Sequence, residues 1–358
     1  MTPPQTYALV LAGGSGECLW PLSRNSKPKP LLNLFSNTTL LEDTLTRLAG
    51  VVPQENILIL TNSEQEGSVR KLLPDFPKAN IIAEPAKRDT AAAIALGAAW
   101  IALRDHSATM IVLPADHLIK DGKGFQDTLK VAIAAATHSG DLVAIGIEPN
   151  WACPSFGYIE MGEKITEIHA PADNAVHQVV RFREKPNADL AETFIRKGNF
   201  RWNTGMFVWQ IPSILSAFER HSPELAAFIE RIHESKDLEA AMQSQFKTLP
   251  RNSIDYAVME KASRVLAVAA SFDWDDVAGW AAVSKYLPDQ GAGNSCNGTL
   301  TTINASNNIA FSDSNKHVAF IGVNDLIVVE AEDAILVCRR DQAEKIKQLM
   351  ARLPTELQ

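Results

Sequence analysis

The segment that decides the fold is YALVLAGGSGECLWPLSRNSKPKPLL, residues 7–32. An apolar run typical of a β-strand ends in three glycines within four residues, and a basic segment spaced by prolines follows. Glycines let the backbone turn tightly and direct several N–H groups toward one anion, and Lys29 can approach the same anion as a point charge. The segment therefore predicts a phosphate-binding turn. A glycine-rich strand-to-helix turn with a solvated basic tail is the alternative.

Two common phosphate-binding motifs do not fit this segment. In the dinucleotide fingerprint a third glycine would follow Gly14 and Gly16 at position 19, which is a leucine. A P-loop requires Gly-Lys-Ser/Thr at a fixed distance, and none follows here. The loop is therefore related to these motifs only in its physical chemistry.

Composition and charge restrict the class of protein. The 358 residues are 46% hydrophobic, enough for one large core or two smaller ones. A net charge of −8 without a sustained basic stripe argues against general binding of nucleic acid or membrane surfaces. No apolar run reaches the roughly 18–20 residues of a membrane span, and the N-terminus lacks a signal-peptide pattern. Four scattered cysteines without a CxxC pair are typical of reduced thiols, so we expect a soluble cytoplasmic protein.

Strand-like and helix-like segments alternate up to about residue 150. Helical patterns occupy Arg88–Arg104, Gly124–Ser139 and a segment opened by the capping box Thr39-Leu-Leu-Glu42. This alternation predicts an α/β domain with a mostly parallel sheet and helices on both faces. Ligands of such sheets bind beyond the carboxyl ends of the strands. The strand-like runs are Tyr7–Ala12, Ile57–Thr61, Asn80–Glu84, Thr109–Leu113 and Leu142–Ile147.

The amino-acid composition of the sequence changes near residue 290. Asn, Ser, Thr and short Val/Ile pairs dominate, with turn signals every 8–10 residues. This pattern predicts a small β-domain of stacked short strands, closed by a helix over Asp341–Leu353. The boundary is placed near Gly291, which divides the chain into domains 1–290 and 291–358.

Residues 11–32 resemble the signature of the sugar-1-phosphate nucleotidyltransferases, Gly-Gly-x-Gly-Thr/Glu-Arg-Leu-x-Pro-Leu-Ser/Thr followed by Pro-Lys. The form LWPLSR, with four residues before Pro28-Lys29, is similar to the mannose-1-phosphate guanylyltransferase branch. Each further match is short, but their order and spacing over nearly the full chain are specific. The resemblance implies a Rossmann-like nucleotidyltransferase domain and then a small left-handed β-helix domain. The further segments are EPAKRDTAAAI (84–94), LPADH (113–117), FGYIE (156–160), FREKP (182–186), WNTGMF (202–207), SIDYAVMEK (253–261) and WDDVAGW (274–280).

The reaction implied by the resemblance is attack of mannose 1-phosphate on the α-phosphorus of GTP, giving GDP-mannose and pyrophosphate. Such a displacement needs aligned phosphates and neutralised charge rather than a covalent nucleophile. The resemblance places Mg²⁺ on Asp116 and Asp276, because carboxylates suit this hard cation. For Asp116 a helix cap or an ion pair is the alternative, and Asp275 is the alternative to Asp276. His117 is interpreted as structural or as a support to the ligands.

The resemblance also divides the remaining site residues among the substrates. Lys29, Asp116 and Lys185 are the implied catalytic residues, with Lys185 on the incoming sugar phosphate. Aromatic residues next to the implied sugar residues in sequence could either contact the sugar or belong to the core. Residues implied on the sugar are Gly157, Glu184 and Asn203. Residues implied on the nucleotide are Gly13, Gly14, Gly16, Arg88, Asp89 and Thr90. The flanking aromatic residues are Phe156, Tyr158 and Trp202.

Two departures from the family pattern bear on activity. Pro154-Ser155-Phe156 replaces Thr-Gly-Tyr before Gly157, and Cys18 stands where the family has an arginine. A thiol cannot supply the charge-assisted donors of a guanidinium. We therefore expect slow turnover, with Arg24 or Lys27 as substitutes, and at least about a tenfold gain from Cys18→Arg. We also expect nearby cations to favour the Cys18 thiolate.

Three functions remain open from the sequence. The first is the guanylyltransferase, the second is a nucleotidyltransferase for another base or sugar, and the third is a catalytically weakened homologue that binds a nucleotide-sugar and regulates a partner. A nucleotide panel separates the first two. Retention of both metal-ligand positions favours an enzyme. The resemblance further implies a possible homodimer, and we expect no phosphomannose isomerase domain.

Overall fold

The strands predicted from the sequence belong to one large mixed sheet. The computed structural model describes residues 5–14, 16–168, 170–235 and 237–358. The strands of this sheet are β1 (Thr6–Leu11), β2 (Ile57–Asn62), β3 (Ile81–Glu84), β4 (Thr109–Pro114), β5 (Leu142–Ile147), β6 (Tyr158–Lys164), β7 (Val176–Arg183), β8 (Phe200–Gln210) and β9 (Val265–Ala270). The helices of this part are α1 (Leu40–Leu48), α2 (Glu66–Leu72), α3 (Asp89–Ala102), α4 (Gly122–Ser139), α5 (Ala188–Lys197), α6 (Ile211–His221), α7 (Pro223–Ser235), α8 (Leu238–Gln245) and α9 (Trp280–Val283).

The order of the strands creates a crevice at one edge of the sheet. The order is β3-β2-β1-β4-β8-β5-β9-β7-β6, with β1 to β4 mutually parallel and β5 parallel to β9. The chain runs from β1 outward to β3 and then returns to the other side of β1 as β4, and such a reversal opens a ligand crevice beyond the carboxyl ends. Leu11 lies opposite Pro114, so the glycine loop after β1 and Asp116 after β4 enter this crevice together.

Both faces of the parallel strands are buried, which explains their continuous apolar sequences. On β1, Leu9 joins the core beneath α3, while Ala8 and Val10 join the core shared with α1 and α4. Helix α3 is alanine-rich because it is enclosed by the sheet on one side and by α6 and α7 on the other. At Gly97 a Cβ atom would come within 2.7 Å of the Leu9 side chain, so glycine permits this close packing.

Several sequence predictions are confirmed, and others need correction. The five predicted strands are present to within a residue or two, and the capping box of α1 forms as expected, with Thr39 and Glu42 capping each other. The first five strands run in the same direction, but β5 does not pair with β4, because β8 inserts antiparallel between them. Among the described residues no helix has the length and apolar character needed to cross a membrane.

The C-terminal part forms the expected coils of short strands. The Asn-rich texture has two causes. Asn304 and Asn307 occupy turn positions with positive φ, which asparagine tolerates, and the buried Asn308 and Asn294 hydrogen bond between successive coils at 2.9 Å. The strands are β10 (Ser295–Cys296), β11 (Leu300–Ile303), β12 (Ile309–Ser312), β13 (Val318–Ile321), β14 (Leu326–Glu330) and β15 (Ile335–Arg339), followed by α10 (Ile346–Met350).

The strand pairing shows how the coils stack. β10, β12 and β14 pair in parallel on one side and β11 pairs with β13 on another, with residues 309 and 327, or 300 and 318, in register 18 residues apart. The predicted closing helix over Asp341–Leu353 is wrong in extent, because a 3₁₀ segment over Arg340–Lys345 precedes the short α10. The β-coil architecture expected from the sequence is thus present.

The glycine loop and the β-coils share one hydrophobic core. Leu19 and Trp20 from the loop pack in the same cluster as Ile327 of β14 and Ile346 of α10. The Trp20 indole N–H also donates to the backbone carbonyl of Leu357 at 2.8 Å. The second domain therefore lies directly against the segment that the sequence marks for phosphate binding.

Candidate functional site

Lys29, which follows the glycine loop in sequence, packs against the loop backbone at Gly16. Gly16 has φ of 61°, and a Cβ atom there would collide with the Lys29 Cβ and come within 2.8 Å of the Lys29 backbone nitrogen. Glycine is required for both reasons. Lys29 follows the loop in a short 3₁₀ turn and is buried, with 8% of its side chain exposed. The sequence thus folds so that one cationic group lies beneath the turn.

Lys29 joins the two aspartates that the sequence singled out. Its Nζ lies 3.0 Å from Asp116 Oδ2 and donates a hydrogen bond to the backbone carbonyl of Asp276. The two aspartates are 160 residues apart in sequence. Leu118 and Asp275 bring them together by a pair of backbone hydrogen bonds of 2.9 and 3.1 Å, which joins the segment after β4 to the segment after β9.

The two carboxyl groups differ in their electrostatics. Burial alone would raise the pKa of Asp116, but Lys29 and His117 hold it below its usual value. Burial raises the pKa of Asp276 to about 6; Lys29 opposes this rise, and Asp116 and Asp275 add to it. The Oδ1 atom of Asp276 is buried and has no hydrogen-bond partner among the described residues. A buried carboxylate oxygen without a partner is costly unless a ligand completes it.

The geometry distinguishes Asp276 from its neighbour. Asp275 uses both carboxylate oxygens within the protein, because Oδ1 accepts from the Val277 N–H at 2.8 Å and Oδ2 accepts from the Tyr286 hydroxyl at 3.0 Å. Lys285 lies 3.4 Å from the same Oδ2. Asp276 is consequently the aspartate of this pair with an oxygen left for a ligand.

His117 is engaged within the fold. Its Nδ1 accepts a hydrogen bond of 3.1 Å from the Trp274 indole N–H, and the two rings pack edge to face. Burial lowers the pKa of His117 to about 4, so the ring is neutral at physiological pH. These contacts agree with a structural interpretation of His117.

The predicted sugar residues form a second group. The Asn203 N–H donates to the Gly157 carbonyl at 2.8 Å, and a Cβ atom on Gly157 would collide with Glu184 Oε2. Lys185 lies 3.1 Å from Glu184, with Nζ toward Oε1. Lys185 has φ of 45°, an unusual backbone conformation for a lysine, which fixes the direction in which the chain turns after β7. The four residues therefore meet at one place.

Asp255 belongs to this second group, although no motif in the sequence marks it. Its Oδ1 accepts from the Asn203 amide at 2.7 Å. Burial raises the pKa of Asp255 to about 6, and the negative charge of Glu184 adds to the rise. The only sequence signal was its place within the quoted segment SIDYAVMEK, which gave no reason to choose the aspartate over its neighbours.

The predicted nucleotide residues at the start of α3 form a third group. The Thr90 hydroxyl accepts from the Ile254 N–H at 2.9 Å, and the Thr90 N–H donates to Asp89 Oδ1 at 2.7 Å. The Arg88 guanidinium donates to the Lys247 carbonyl. Through Ile254 this group adjoins the second group, because Asp255 is the next residue.

Two cavities meet at Cys18. A cavity of about 610 Å³, here called the aromatic cavity, also touches Asp276 and Lys285. A cavity of about 170 Å³, here called the small cavity, lies between Gly16, Lys29 and Asp116. Tyr158 is fully buried and belongs to the core. The aromatic residues that line the aromatic cavity are Trp151, Phe156, Trp202, Trp274, Trp280 and Tyr286.

The expectations about Cys18 and its substitutes need correction. Burial raises the pKa of the Cys18 thiol; Lys347 and Lys29 lower it only in part, so the predicted thiolate is wrong in direction. Arg24 does not turn toward the small cavity, because its guanidinium lies 2.6 Å from Asp333 and donates to backbone carbonyls of the loop. Lys27 is exposed and does not line either cavity.

Both parts of the chain match known protein families. Residues 7–289 match the family model described as nucleotidyl transferase, and residues 298–353 match the MannoseP isomerase/GMP-like β-helix domain. A mannose-1-phosphate guanylyltransferase from Escherichia coli is 36% identical over 95% of this chain and 72% of its own length. Another from Sinorhizobium fredii is 33% identical over 99% of this chain and 69% of its own length.

A solved structure is similar over almost the whole length of both proteins. It is a Thermus thermophilus protein described as a mannose-1-phosphate geranyltransferase, with a TM-score of 0.85 and 36% identity over 97% of this chain and 99% of that one. Sequence and fold agree on one assignment. The chain belongs to the nucleotidyltransferase family, within the mannose-1-phosphate guanylyltransferase group that carries a C-terminal β-helix domain.

Proposed function

We propose that this enzyme transfers GMP from GTP to mannose 1-phosphate, giving GDP-mannose and pyrophosphate in an Mg²⁺-dependent reaction. The observation that carries the proposal is the cluster of Lys29, Asp116 and Asp276 at the crevice of the sheet, in which one buried carboxylate oxygen lacks a partner among the described residues. Membership in the family supports the type of reaction. The choice of GTP and mannose 1-phosphate follows the names of the relatives.

The residues of the first group suit direct displacement at phosphorus. The loop backbone at Gly14 is open, because a Cβ there would meet nothing within 4 Å. That open space lets a phosphate approach the backbone closely. The buried ammonium of Lys29 is held in place by Asp116, so its charge is preorganised for the phosphates.

The donor set fits a magnesium ion. Asp116 and Asp276 offer carboxylate oxygens close to one another, and Asp276 Oδ1 has no partner in the described part of the chain. One or two carboxylates are enough for Mg²⁺, which keeps several waters and takes substrate phosphates as ligands. When bound, Mg²⁺ neutralises phosphate charge and acts as a Lewis acid toward the phosphoryl oxygens.

The second group is assigned to the sugar phosphate. Lys185 has 65% of its side chain exposed and rests against Glu184, so it can turn toward an incoming phosphate. Glu184 and Asn203 converge on Gly157, where the absence of a side chain makes room for the Glu184 carboxylate. Asp255 joins them as an acceptor that holds the Asn203 amide.

The third group is assigned to the nucleotide base. Arg88, Asp89 and Thr90 lie at the start of α3, where the helix dipole favours an anion or a carbonyl oxygen. A carboxylate such as Asp89 can accept hydrogen bonds from guanine N1–H and its amino group. The assignment of GTP over other nucleotides rests on these residues and on the family.

We also propose that the chain forms a homodimer, as the resemblance implies. Two exposed isoleucines lie side by side on neighbouring strands of the β-helix domain, Ile303 at 56% and Ile321 at 70% exposure. Exposed apolar pairs of this kind favour burial against a second surface. Light scattering of the purified protein, with Ile321→Asp as the comparison, tests the oligomeric state.

A pyrophosphate-release assay tests the proposed function. GTP, ATP, UTP and dTTP are each combined with mannose 1-phosphate and with glucose 1-phosphate, in Mg²⁺ and in EDTA. We expect pyrophosphate release from the pair GTP and mannose 1-phosphate when Mg²⁺ is present, and no release in EDTA. Release with another pair would instead support a nucleotidyltransferase for a different base or sugar. If no pyrophosphate is released but the protein binds GDP-mannose in a separate binding assay, the result would support a regulatory homologue, the alternative that Cys18 favours.

A further inference from the structure

A lysine from the β-helix domain lines the small cavity. The cavity lies between Gly16, Cys18, Lys29 and Asp116 of the nucleotidyltransferase domain, and Lys347 of α10 forms part of its wall. Lys347 is thus the cavity's contact with the second domain among the residues described. Its position was not anticipated from the sequence, because it lies more than 300 residues from the loop.

The helix that carries Lys347 is fixed against the glycine loop. Ile346 and Met350, on either side of Lys347 in α10, are buried in the same cluster as Leu19 of the loop. The 3₁₀ turn over Glu17–Leu19 packs directly against α10. Because residues at positions i and i+4 lie on one face of a helix, the buried pair sets the rotation of α10 and with it the side from which Lys347 leaves.

Side chains of both signs line the small cavity: Glu17 and Asp116 are acidic, and Lys29 and Lys347 are basic. Cys18 presents a neutral thiol there, and Lys347 is the largest cationic influence on that thiol. On the other side Lys29 is already engaged with Asp116 and with the Asp276 carbonyl. A polyanion entering the cavity would therefore meet Lys347 as the second positive charge near the loop.

We propose that Lys347 binds the phosphate chain of the nucleotide from the β-helix side and supplies the cationic contact that Cys18 cannot provide. The inference rests on the proposed function for the identity of the nucleotide, but the chemistry it needs is only that of a di- or triphosphate. The β-helix domain then contributes a residue to the site. Lys347 acts as a point charge, which suits an ammonium on a flexible stem.

Binding of inorganic pyrophosphate tests the proposal without turnover. Calorimetry in EDTA and in Mg²⁺ compares wild type with Lys347→Met, Lys347→Arg and the matched control Lys345→Met, which removes an exposed lysine two residues away that does not line the cavity. We expect Lys347→Met to weaken pyrophosphate binding about tenfold, about 1.4 kcal/mol. Lys347→Arg should stay within about threefold of wild type and Lys345→Met within about twofold. Equal affinity of wild type and Lys347→Met would overturn the proposal.

A double-mutant cycle that combines Lys347→Met with Cys18→Arg tests whether positions 347 and 18 act on the same phosphates. If Lys347 and a guanidinium at position 18 serve the same phosphates, Cys18→Arg should raise GTP kcat/KM by a clearly larger factor in the Lys347→Met background than in wild type. The gain in wild type is then below the tenfold expected from the sequence. Equal gains in both backgrounds would overturn the assignment.

These measurements separate the two proposals. Pyrophosphate binding that depends on Lys347, without release from GTP and mannose 1-phosphate, supports the lysine and rejects the proposed reaction. Normal release with no effect of Lys347→Met on either binding or the KM for GTP rejects the lysine and leaves the reaction standing. Thermal melting of each variant shows whether the fold is intact.

Discussion

Replacing Asp276 by asparagine should abolish activity and stabilise the metal-free protein. Burial raises the pKa of the Asp276 carboxyl from 3.8 to about 6, with Lys29 opposing and Asp116 and Asp275 reinforcing the rise. Because the folded protein binds this proton more tightly than the unfolded chain, ionisation of Asp276 destabilises the fold as pH rises. The effect is absent below about pH 4 and complete above about pH 7. An asparagine carries no charge and escapes the penalty.

The size of the effect follows from the pKa. At about 1.4 kcal/mol per pH unit, the penalty at Asp276 is about 1.5 kcal/mol at pH 5 and about 3 kcal/mol at pH 8. Partial exposure of the side chain makes these values a ceiling. We therefore expect Asp276→Asn to raise the free energy of unfolding by about 1–3 kcal/mol at pH 8, and by about half as much at pH 5.

Urea unfolding in EDTA at the two pH values measures this gain. Asp275→Asn is the matched control and should have the opposite sign, because its carboxylate accepts from Tyr286 and Val277 and lies near Lys285. Loss of such hydrogen bonds to a charged group costs about 1.5–3 kcal/mol. Adding GTP and Mg²⁺ should stabilise wild type more than Asp276→Asn. A variant less stable than wild type at pH 8, or equally stabilised at both pH values, would refute the reasoning.

Three further predictions concern the other groups. Lys185→Ala should raise the KM for mannose 1-phosphate more than the KM for GTP, since its exposed ammonium is assigned to the incoming phosphate; steady-state kinetics would show the reverse if the pockets were exchanged. Gly16→Ala should lower stability and activity together because its Cβ would clash with Lys29, whereas Gly14→Ala should leave the melting temperature unchanged and raise only the KM for GTP. Leu19→Ala should cost about 2–5 kcal/mol in chemical unfolding, because Leu19 is 1% exposed in the core shared by both domains; a loss below about 1 kcal/mol would contradict that burial.

Local pattern predicted the parts of the fold that local forces determine. The run before Gly13 is apolar throughout because a parallel strand is buried on both faces, and the alternation with helices follows from the same architecture. The capping box at Thr39 acts within four residues and was readable for that reason. The position of the antiparallel strand β8 could not be read from the sequence, because its pairing with β4 and β5 depends on the packing of the whole sheet. The extent of the closing helix was also missed, since apolar spacing does not distinguish a 3₁₀ segment from an α-helix.

The residues of the site also differ in whether the sequence could identify them. Asp116 follows a strand and lies at the edge where ligands bind, so its place could be inferred from the sheet alone. Asp276 needed the resemblance, because the Leu118–Asp275 pairing that brings it near joins distant segments. Asp255 and Lys347 were missed for a related reason. Each acquires its neighbours only through tertiary packing, and no local pattern marks a residue for contacts made elsewhere.

The core shared by the glycine loop and the β-helix constrains how this protein can evolve. Many multidomain enzymes exchange modules because the modules meet only through a linker and a thin polar interface. Here Leu19 and Trp20 are at once part of the loop and part of the hydrophobic filling of the β-coils. A different C-terminal module would have to fit those two side chains as well as its own interior. Recombination between lineages should therefore succeed only when loop and coils are inherited together, and substitutions at Leu19 should be matched by changes at Ile346 or Met350.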